Sequence, residues 1–474
     1  MNRKKYLAKN TALFALNSIG TKLIIFLLVP VYTKSMTTSE FGVADLVTTL
    51  SSIIVPIITL NINEAVMRFS LDDNADYNKI MSIGISVMAL SIFCGAIIIP
   101  VSHFWVLLRP FSLFFYLYCV FQGIYSICSS YLRGRELLTP FAISNIVVTL
   151  SGACLNIIFL VFLKFGVKGY FLGFIISYIL GIIYSIIASN LHHVFKHFSI
   201  DRNLAKKMCS YSLVLIPNSL MWWVMNASDR LMVISIAGVA ANGLYAISYK
   251  IPSAISTASV VFNQAWSYSA IHEEFSTDRD TFNEKMYNFL FELQLLITGI
   301  LLLGVKPIMS VYVDNSFYPA WQYIPPLLIG YFFMSLGTFF STQYTVKKDS
   351  KGFLVSGTIG AAVNVVLNFL MIPILGPLGA AIATASAYLS VFVFRVHDTR
   401  KYFHIKWITV KKTISAIVLT LMAFSNYISE KYSMILLCFL MIIILLLAKE
   451  TIYFTINTCI DFMKRLRASD KFTI

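Results

Sequence analysis

Residues 155–178, LNIIFLVFLKFGVKGYFLGFIISY, join two apolar segments through a Gly-x-x-Gly turn at Gly166 and Gly169. The segment before the turn belongs to an apolar stretch at 141–162, and the segment after it belongs to one at 169–189. Crossing a bilayer takes ~20 consecutive apolar residues as a helix. The stretch therefore predicts two membrane-spanning helices joined by a short turn.

The composition extends this prediction to the whole chain. Of 474 residues, 58% are hydrophobic and 12% are charged, which excludes a soluble protein of this size. Aromatic residues make up 15%, which excludes disorder. The seven cysteines lie mostly in apolar runs and form no CxxC pair, which argues against a disulfide scaffold.

Apolar windows between charged or Pro/Gly-rich breaks predict an all-α polytopic membrane protein with 14 transmembrane helices. The predicted spans are 10–32, 43–62, 81–101, 112–131, 141–162, 169–189, 210–229, 243–263, 286–305, 322–342, 353–373, 379–394, 413–428 and 433–448.

The basic residues predict the orientation of these spans. With both termini cytoplasmic, 28 of the 37 Lys and Arg residues lie on the cytoplasmic side and seven on the opposite side, while Lys22 and Lys250 fall inside spans. This is the positive-inside bias of a multi-pass membrane protein. The net charge of +15 is then mostly a cytoplasmic collar that includes Arg395 and favours anionic membrane lipids over nucleic acid as partner. Residues 452–467 suit a basic interfacial helix.

An internal repeat divides the chain. Gly376-x-x-Gly379 with Tyr388 repeats the pattern of Gly166-x-x-Gly169 with Tyr178, and Leu367-Asn368 repeats Leu155-Asn156. Earlier in the chain, Asn218-Ser219 and Gly243 repeat Asn17-Ser18 and Gly42 at an offset of 201. An even number of spans separates the copies, which predicts two six-helix bundles of the same orientation. The predicted domains are bundles at 1–200 and 201–410, with two extra helices and a basic tail at 411–474.

Several short motifs resemble one known group of membrane proteins. They are Tyr32-Thr-Lys34, Phe41-Gly42-Val-Ala-Asp45-Leu, Asn63-Glu64-Ala65-Val-Met-Arg68-Phe69, Ser228-Asp229-Arg230-Leu231 and Gly243-Leu-Tyr245-Ala-Ile-Ser248-Tyr-Lys250. In this order, with the 6+6 repeat and two appended spans, they resemble bacterial polysaccharide-repeat-unit flippases of the Wzx type. These belong to the multidrug/oligosaccharidyl-lipid/polysaccharide exporter superfamily, whose fold is MATE-like.

The resemblance implies a transporter and not an enzyme. Its substrate would be an undecaprenyl-pyrophosphate-linked oligosaccharide, moved from the cytoplasmic to the outer leaflet by alternating access for capsule, O-antigen or exopolysaccharide assembly. The implied chain is a monomer without a cofactor, with Na⁺ or H⁺ as the candidate coupling ion and with polysaccharide polymerases and glycosyltransferases as candidate partners.

Four basic residues are candidate ligands for the pyrophosphate: Lys22, Arg68, Arg230 and Lys250. They fall on spans 1, 2, 7 and 8, which correspond between the two repeats, and cations that converge within a membrane favour an anionic substrate. Exposing Lys22 to lipid would cost at least ~2.5 kcal/mol. Each also has a structural alternative; Arg68, for example, could form an intrahelical ion pair with Glu64.

Polar and acidic residues complete the predicted site. Asn17, Ser18, Asn218 and Asn226 are predicted to line the cavity. Asp229, Asp45 and Glu292 are candidate ion-coupling acids, with pairing to nearby bases as the alternative. No His/Cys/Asp/Glu cluster indicates a metal site, and no nucleotide-binding or hydrolase motif is present.

Three other functions remain open from the sequence. A lipid II flippase or a drug/cation antiporter would share the fold. A membrane glycosyltransferase or polysaccharide polymerase would need a catalytic acid or base in a large loop. The longest loops between the predicted spans have only about 20 residues.

Overall fold

The computed structural model describes residues 20–72, 74–192, 194, 197–272, 276–347, 349–453 and 457. Within these, the side chains at 218, 221, 222, 225, 226, 261, 264, 265, 268, 271, 272 and 430 are not described. The predicted interfacial helix at 452–467 thus lies almost entirely outside the described residues.

The secondary structure of the described residues is helical, which confirms the all-α prediction. The helices are α1 (20–35), α2 (Thr38–Ile58), α3 (Ile62–Ser70), α4 (Tyr77–Gly95), α5 (Ile98–Phe104), α6 (Ser112–Gly134), α7 (Leu138–Ile157), α8 (Gly166–Ser189), α9 (Arg202–Ala237), α10 (Val239–Ser248), α11 (Ser253–His272), α12 (Arg279–Tyr312), α13 (Ile324–Val346), α14 (Ser350–Leu375), α15 (Pro377–Asp398), α16 (Val410–Ser425) and α17 (Glu430–Leu447).

Every predicted span overlaps at least one of these helices. Nine helical runs in the described part of the chain are long and apolar enough to cross a membrane. The eighth predicted span, 243–263, is interrupted, because α10 ends at Ser248 and α11 begins at Ser253. The count of fourteen membrane crossings stays a prediction.

Local sequence signals set the ends of α2. Thr37 and Glu40 form a capping box at its start, with Glu40 N donating to Thr37 Oγ1 at 3.2 Å and Thr37 N donating to Glu40 Oε2 at 2.9 Å. Near its end lies Pro56, followed by Leu60 and Asn61 in the left-handed region at φ 51° and 53°. This break turns the chain into the short helix α3.

The repeated Gly-x-x-Gly turn has the same backbone conformation in both copies. Gly166 precedes the body of α8 at φ +55°, and Gly376 precedes α15 at φ +58°. A residue with a Cβ is usually strained at such angles, so glycine is well suited to these two turns. The common conformation supports the internal repeat read from the sequence.

Backbone contacts divide the described residues into two compact units. One lies within Met1–Ile247, Tyr312–Pro319 and Asn368–Pro377, and the other within Ser248–Val311, Ala320–Leu367 and Leu378–Ile474. In the first unit α9 and α10 pack on α2, although the sequence repeat places them in different halves. The predicted domain boundaries at 200 and 410 stay predictions.

The last two helices pack on α12 within the second unit. Asn426 Nδ2 at the end of α16 donates to the carbonyl oxygen of Leu302 at 3.2 Å. A Cβ added to Gly299 would lie 2.9 Å from Ile444 of α17, so the missing side chain lets the two helices approach closely.

Candidate functional site

A charged pair joins α2 to α9 at the ends of two predicted membrane spans. Arg230 Nη1 donates to Asp45 Oδ1 and, at 3.2 Å, to Thr49 Oγ1 one turn further along α2. The side chain of Asp45 is 9% exposed and that of Arg230 is 20% exposed. Separating the pair would leave two charges without their counter-charge in a poorly solvated place.

Asn242 on α10 holds the other oxygen of the same carboxylate. Its Nδ2 donates to Asp45 Oδ2 at 3.1 Å and to the Gly42 carbonyl oxygen at 3.3 Å. Asn242 is fully buried. We call Asp45, Thr49, Arg230 and Asn242 the helix latch, since together they tie α2 to α9 and α10.

Beside the latch, α2 and α10 cross with their backbones in contact. A Cβ on Gly42 would lie 2.2 Å from the Val239 carbonyl oxygen, and one on Gly243 would lie 2.0 Å from the Thr38 carbonyl oxygen. Gly42 and Gly243 are repeat equivalents at the offset of 201, and the same offset relates Thr38 to Val239. The contact is therefore reciprocal, which is the mark of a twofold relation. It agrees with two copies of one orientation.

Asp229, a candidate ion-coupling acid, lies next to the latch. Its Oδ2 accepts a hydrogen bond from Tyr245 Oη at 2.7 Å, and its Oδ1 accepts one from the Arg230 backbone N–H at 2.9 Å. Asp229 and Tyr245 are both buried. This carboxylate thus links the end of α9 to α10, and its role with an ion stays a prediction.

The other predicted cations lie in different surroundings. Lys22 is exposed on α1, and no ion pair is found for it among the described residues. Lys250 lies in the turn between α10 and α11, where its carbonyl oxygen accepts from Ser253 Oγ at 2.6 Å. Their predicted roles as phosphate ligands stay predictions.

Arg68 has a different partner from the one that its sequence spacing suggests. It pairs with Asp72 at 2.5 Å, with both side chains about half exposed. The alternative intrahelical pair with Glu64 is wrong, because Glu64 Oε1 instead accepts from Asn63 Nδ2 at 3.1 Å. Both acids lie four residues from Arg68, so spacing alone could not distinguish them.

Glu292, the third candidate acid, lies in the second unit. Its Oε1 accepts from Lys411 Nζ at 2.5 Å, and its side chain is 8% exposed. This pair joins α12 to the start of α16. The predicted cavity residues Asn17 and Ser18 lie outside the described residues, and so do the side chains of Asn218 and Asn226.

The sequence predicts Arg395 in a cytoplasmic collar that attracts lipid headgroups, but its side chain is buried. Arg395 is 3% exposed. Its Nε donates to Ser356 Oγ at 3.0 Å and its Nη1 to the Gly337 carbonyl oxygen at 3.2 Å, while the guanidinium lies over the Phe353 ring. It therefore joins α13, α14 and α15. Gly337 and Ser356, small residues on the facing helices, leave room for the guanidinium.

The described geometry can be compared with known proteins. The family described as polysaccharide biosynthesis protein matches residues 7–268, more than half of the chain. The chain belongs to this family. All four latch residues and both crossing glycines fall within the matched part. Among curated proteins, none matches the sequence.

Solved structures of low sequence identity share the fold of this family member. The lipid II flippase MurJ in an inward closed conformation has a TM-score of 0.65 at 15% identity, covering 95% of this chain and 100% of MurJ. An inward-facing MATE family multidrug resistance transporter of the MOP superfamily has a TM-score of 0.61 at 12% identity, covering 82% of this chain and 97% of its own.

A MOP superfamily transporter from Pyrococcus furiosus has a TM-score of 0.58 at 13% identity, covering 83% of this chain and 95% of its own. Together these likenesses confirm the MATE-like fold and the resemblance to the exporter superfamily. With the apolar helical runs, this shared fold supports a multi-pass membrane protein.

Proposed function

We propose that this protein flips an undecaprenyl-pyrophosphate-linked oligosaccharide repeat unit from the cytoplasmic to the outer leaflet of the bacterial plasma membrane. The family match supports polysaccharide biosynthesis as the process. Capsule, O-antigen or exopolysaccharide assembly is the pathway class in which such a carrier acts. Glycosyltransferases would supply the substrate, polymerases would consume it, and the carrier would act as a monomer.

The helix latch is the observation that carries the proposal. A transporter that alternates its access must close one end by contacts that can also break. Here a reciprocal backbone crossing sits next to a pair of charges, and the contacts run between helices that the repeat assigns to different halves. Such contacts hold two helices together when closed and release a cation, Arg230, when they separate.

The distribution of basic residues sets the direction. With both termini cytoplasmic, the chain leaves the cytoplasm along α1 and enters α2 from the outer side. On this predicted topology the latch lies at the outer ends of α2 and α9, where its contacts would close the carrier to the outside. A carrier closed to the outside loads its substrate from the cytoplasmic leaflet, where lipid-linked oligosaccharides are made.

Flipping in reconstituted vesicles tests the proposal. The substrate is a fluorescently labelled undecaprenyl-pyrophosphate oligosaccharide, and its arrival in the opposite leaflet is followed by enzymatic or chemical access. We expect the wild type to flip it, Lys22→Ala to be impaired and Lys22→Arg to be milder, because arginine keeps the charge. Equal rates for all three would remove Lys22 from the site, and no flipping by the wild type would overturn the proposal.

Lipid II is the second candidate substrate, because MurJ matches over its full length and over 95% of this chain. The same vesicles with labelled lipid II distinguish the two. Preferential flipping of lipid II would replace the oligosaccharide assignment while leaving the flippase assignment in place. Flipping of a cationic drug alone would favour the antiporter.

Energy for the step is expected from the membrane and not from ATP. A pyrophosphate with about two negative charges that leaves a negative cytoplasm gains ~2.3 kcal/mol per charge per 100 mV. Na⁺ or H⁺ at Asp229, Asp45 or Glu292 is the candidate second coupling. Vesicles with a potassium gradient and valinomycin test this; a rate indifferent to potential, Na⁺ and pH gradients would leave passive facilitated flipping.

A further inference from the structure

A polar cavity of about 360 Å³ lies in the first unit and shares no residue with the helix latch. Its wall on α6 carries Gln122 and three serines, Ser126, Ser129 and Ser130. Glu64 of α3 and Arg133 at the end of α6 contribute opposite charges. A volume of this size falls near the lower end of the ~300–1,000 Å³ range of small-molecule sites.

Aromatic rings form another part of the wall. The rings of Tyr125 and Tyr178 lie 5.7 Å apart between centroids, and the ring of Phe141 also faces the cavity. Tyr125 Oη donates to Asn145 Oδ1 at 2.7 Å and accepts from Ser144 Oγ at 3.2 Å. These two hydrogen bonds anchor the hydroxyl and hold the ring in place.

Several polar groups of the cavity lack a good partner of their own. Gln122 Oε1 is buried, and no hydrogen-bond donor reaches it among the described residues. The guanidinium of Arg133 contacts the thioether of Met67, with Nε 2.7 Å from Sδ. A thioether is a weak acceptor, and no carboxylate pairs with Arg133 in the described part of the chain. The buried Gln122 oxygen and the Arg133 guanidinium can therefore each form a hydrogen bond with a ligand.

The mixture of groups selects the class of ligand. No group of three metal-ligating side chains is found among the described residues, and Glu64 offsets the attraction of Arg133 for an anion. An apolar drug would leave the serine hydroxyls and Gln122 without water or partner. A sugar ring offers both donors and acceptors to Gln122, Glu64, Arg133 and the serines, and its C–H faces pack on aromatic rings.

We propose that this cavity binds one sugar residue of the lipid-linked oligosaccharide. The inference rests on the proposed function and adds a sugar-recognition subsite to it. On the predicted topology the cavity lies toward the cytoplasmic ends of α6 and α7, the side from which the substrate is loaded. The sugar would thus be recognised before the latch opens.

Binding to the purified full-length protein in nanodiscs tests the subsite. The probes are a polyprenyl pyrophosphate without sugar and the same carrier bearing one hexose or one N-acetylhexosamine. For the wild type we expect at least one of the sugars to tighten binding about fivefold to tenfold, the value of one or two net hydrogen bonds. Gln122→Leu should lose this gain while binding the sugar-free carrier as the wild type does.

A second variant and a control distinguish the loss of sugar binding from a folding defect. Ser129→Ala combined with Ser130→Ala removes two hydroxyls of the cavity wall and should also lose the gain. Ser151→Ala is the matched control, because its hydroxyl donates to the Val147 carbonyl oxygen of its own helix at 2.6 Å and lies outside the cavity wall. It should keep the full gain.

The outcomes separate the subsite from the function on which it rests. If the wild type binds both glycosylated carriers no better than the sugar-free one, or if the cavity variants keep the gain, the subsite is overturned while the flippase assignment stands. If the wild type binds none of the carriers, the proposed function fails and the subsite falls with it.

Discussion

At the scale of single residues, the proposed closing mechanism depends most on the Asp45–Arg230 ion pair. The two residues are 185 positions apart in the chain, yet their side chains meet where little solvent reaches them. Their pairing means that Arg230 cannot be both a substrate ligand and a latch residue at the same moment. In our account it changes from one role to the other as the latch opens.

A charge exchange tests this pair. We expect Asp45→Asn to slow flipping at least about fivefold, because Arg230 loses its ion pair with Asp45 and closure is weakened, and we expect Arg230→Ala to do the same. The combined Asp45→Arg and Arg230→Asp variant should flip faster than Asp45→Arg alone or Arg230→Asp alone, and these three variants with the wild type form a double-mutant cycle with an expected coupling of about 1–3 kcal/mol. Flipping in vesicles at matched protein level is the measurement.

An exposed pair provides the comparison. Asp72→Asn breaks the Arg68 pair, whose side chains are about half exposed, and should change thermal stability little. If the exchanged latch variant is no better than the two single variants added together, Asp45 and Arg230 act independently and the latch is not an ion pair in function.

The residue types and their order predicted which charged residues belong to this site, but not how they pair. Asp45, Asp229 and Arg230 stand out in sequence because charges are costly near membrane spans. Which base meets which acid depends on how distant helices pack, and no local pattern carries that information. Arg395 shows the same limit, since the charged residues that follow it from His397 to Lys401 suggest a surface position while its neighbours in space bury it.

At the scale of helices, the crossing of α2 and α10 depends on two glycines. We expect Gly42→Ala and Gly243→Ala each to lower flipping at least about tenfold, because the added Cβ would lie 2.2 Å or 2.0 Å from a carbonyl oxygen and the crossing cannot close. Labelling of an engineered cysteine beside the crossing by a membrane-impermeant reagent measures the opening directly, and both variants should label faster.

Gly357→Ala on α14 is the control for the substitution itself. An added Cβ there meets no atom within 4 Å, so export and labelling should match the wild type. Unchanged labelling in the Gly42 and Gly243 variants would show that the crossing tolerates separation and is not a closing contact.

A second helix-scale feature joins the ends of α13, α14 and α15. Asp349 Oδ2 accepts from Tyr402 Oη at 2.6 Å, and Lys401 Nζ lies 3.3 Å from Asp349 and 2.9 Å from Asp398. The Gly352 backbone N–H donates to Asp349 Oδ1 at 2.9 Å. The hydrogen bond from Tyr402, followed by that from Gly352, lowers the pKa of Asp349 to about 2.

This lowered pKa predicts how stability depends on pH. An unfolded aspartate titrates near ~3.9, so the stability that ionised Asp349 contributes is complete above that pH and is lost as pH falls toward about 2. We expect Asp349→Asn to melt at a lower temperature than the wild type at neutral pH and the difference to shrink between pH ~4 and ~2. A difference that stays constant over this range would show that the charge does not contribute.

At the scale of the whole molecule, the internal repeat was the most informative signal in the sequence. The turns at Gly166 and Gly376 share one backbone conformation, and Gly42 and Gly243 meet in a reciprocal contact. Both results follow from one repeated local pattern, which is why they could be expected. The break between α10 and α11 contains Lys250 and Pro252, so a helix end could also have been expected there, although the predicted span 243–263 ran through it.

Alternating access accounts for the repeated glycines, the latch and the polar cavity together. A parallel repeat places equivalent helices side by side, so a small residue repeated at the same position lets both copies approach each other. The polar latch then adds a contact that stabilises closure and exposes a cation on opening. The polar cavity on α6 would recognise a sugar near the cytoplasmic end of the protein. Substrate need not occupy the latch and the cavity at the same time.

The most direct test of the account locks the latch shut and measures flipping. Thr38→Cys and Val239→Cys, in a chain whose seven native cysteines are replaced, place thiols at the two ends of the α2–α10 crossing without altering a latch residue. A short reducible bifunctional reagent then joins them in vesicles that contain the labelled lipid-linked oligosaccharide. We predict that flipping stops on cross-linking and returns to the uncross-linked rate on reduction. Flipping that continues at the same rate in fully cross-linked protein would contradict the account, because substrate would then cross while α2 and α10 remain closed.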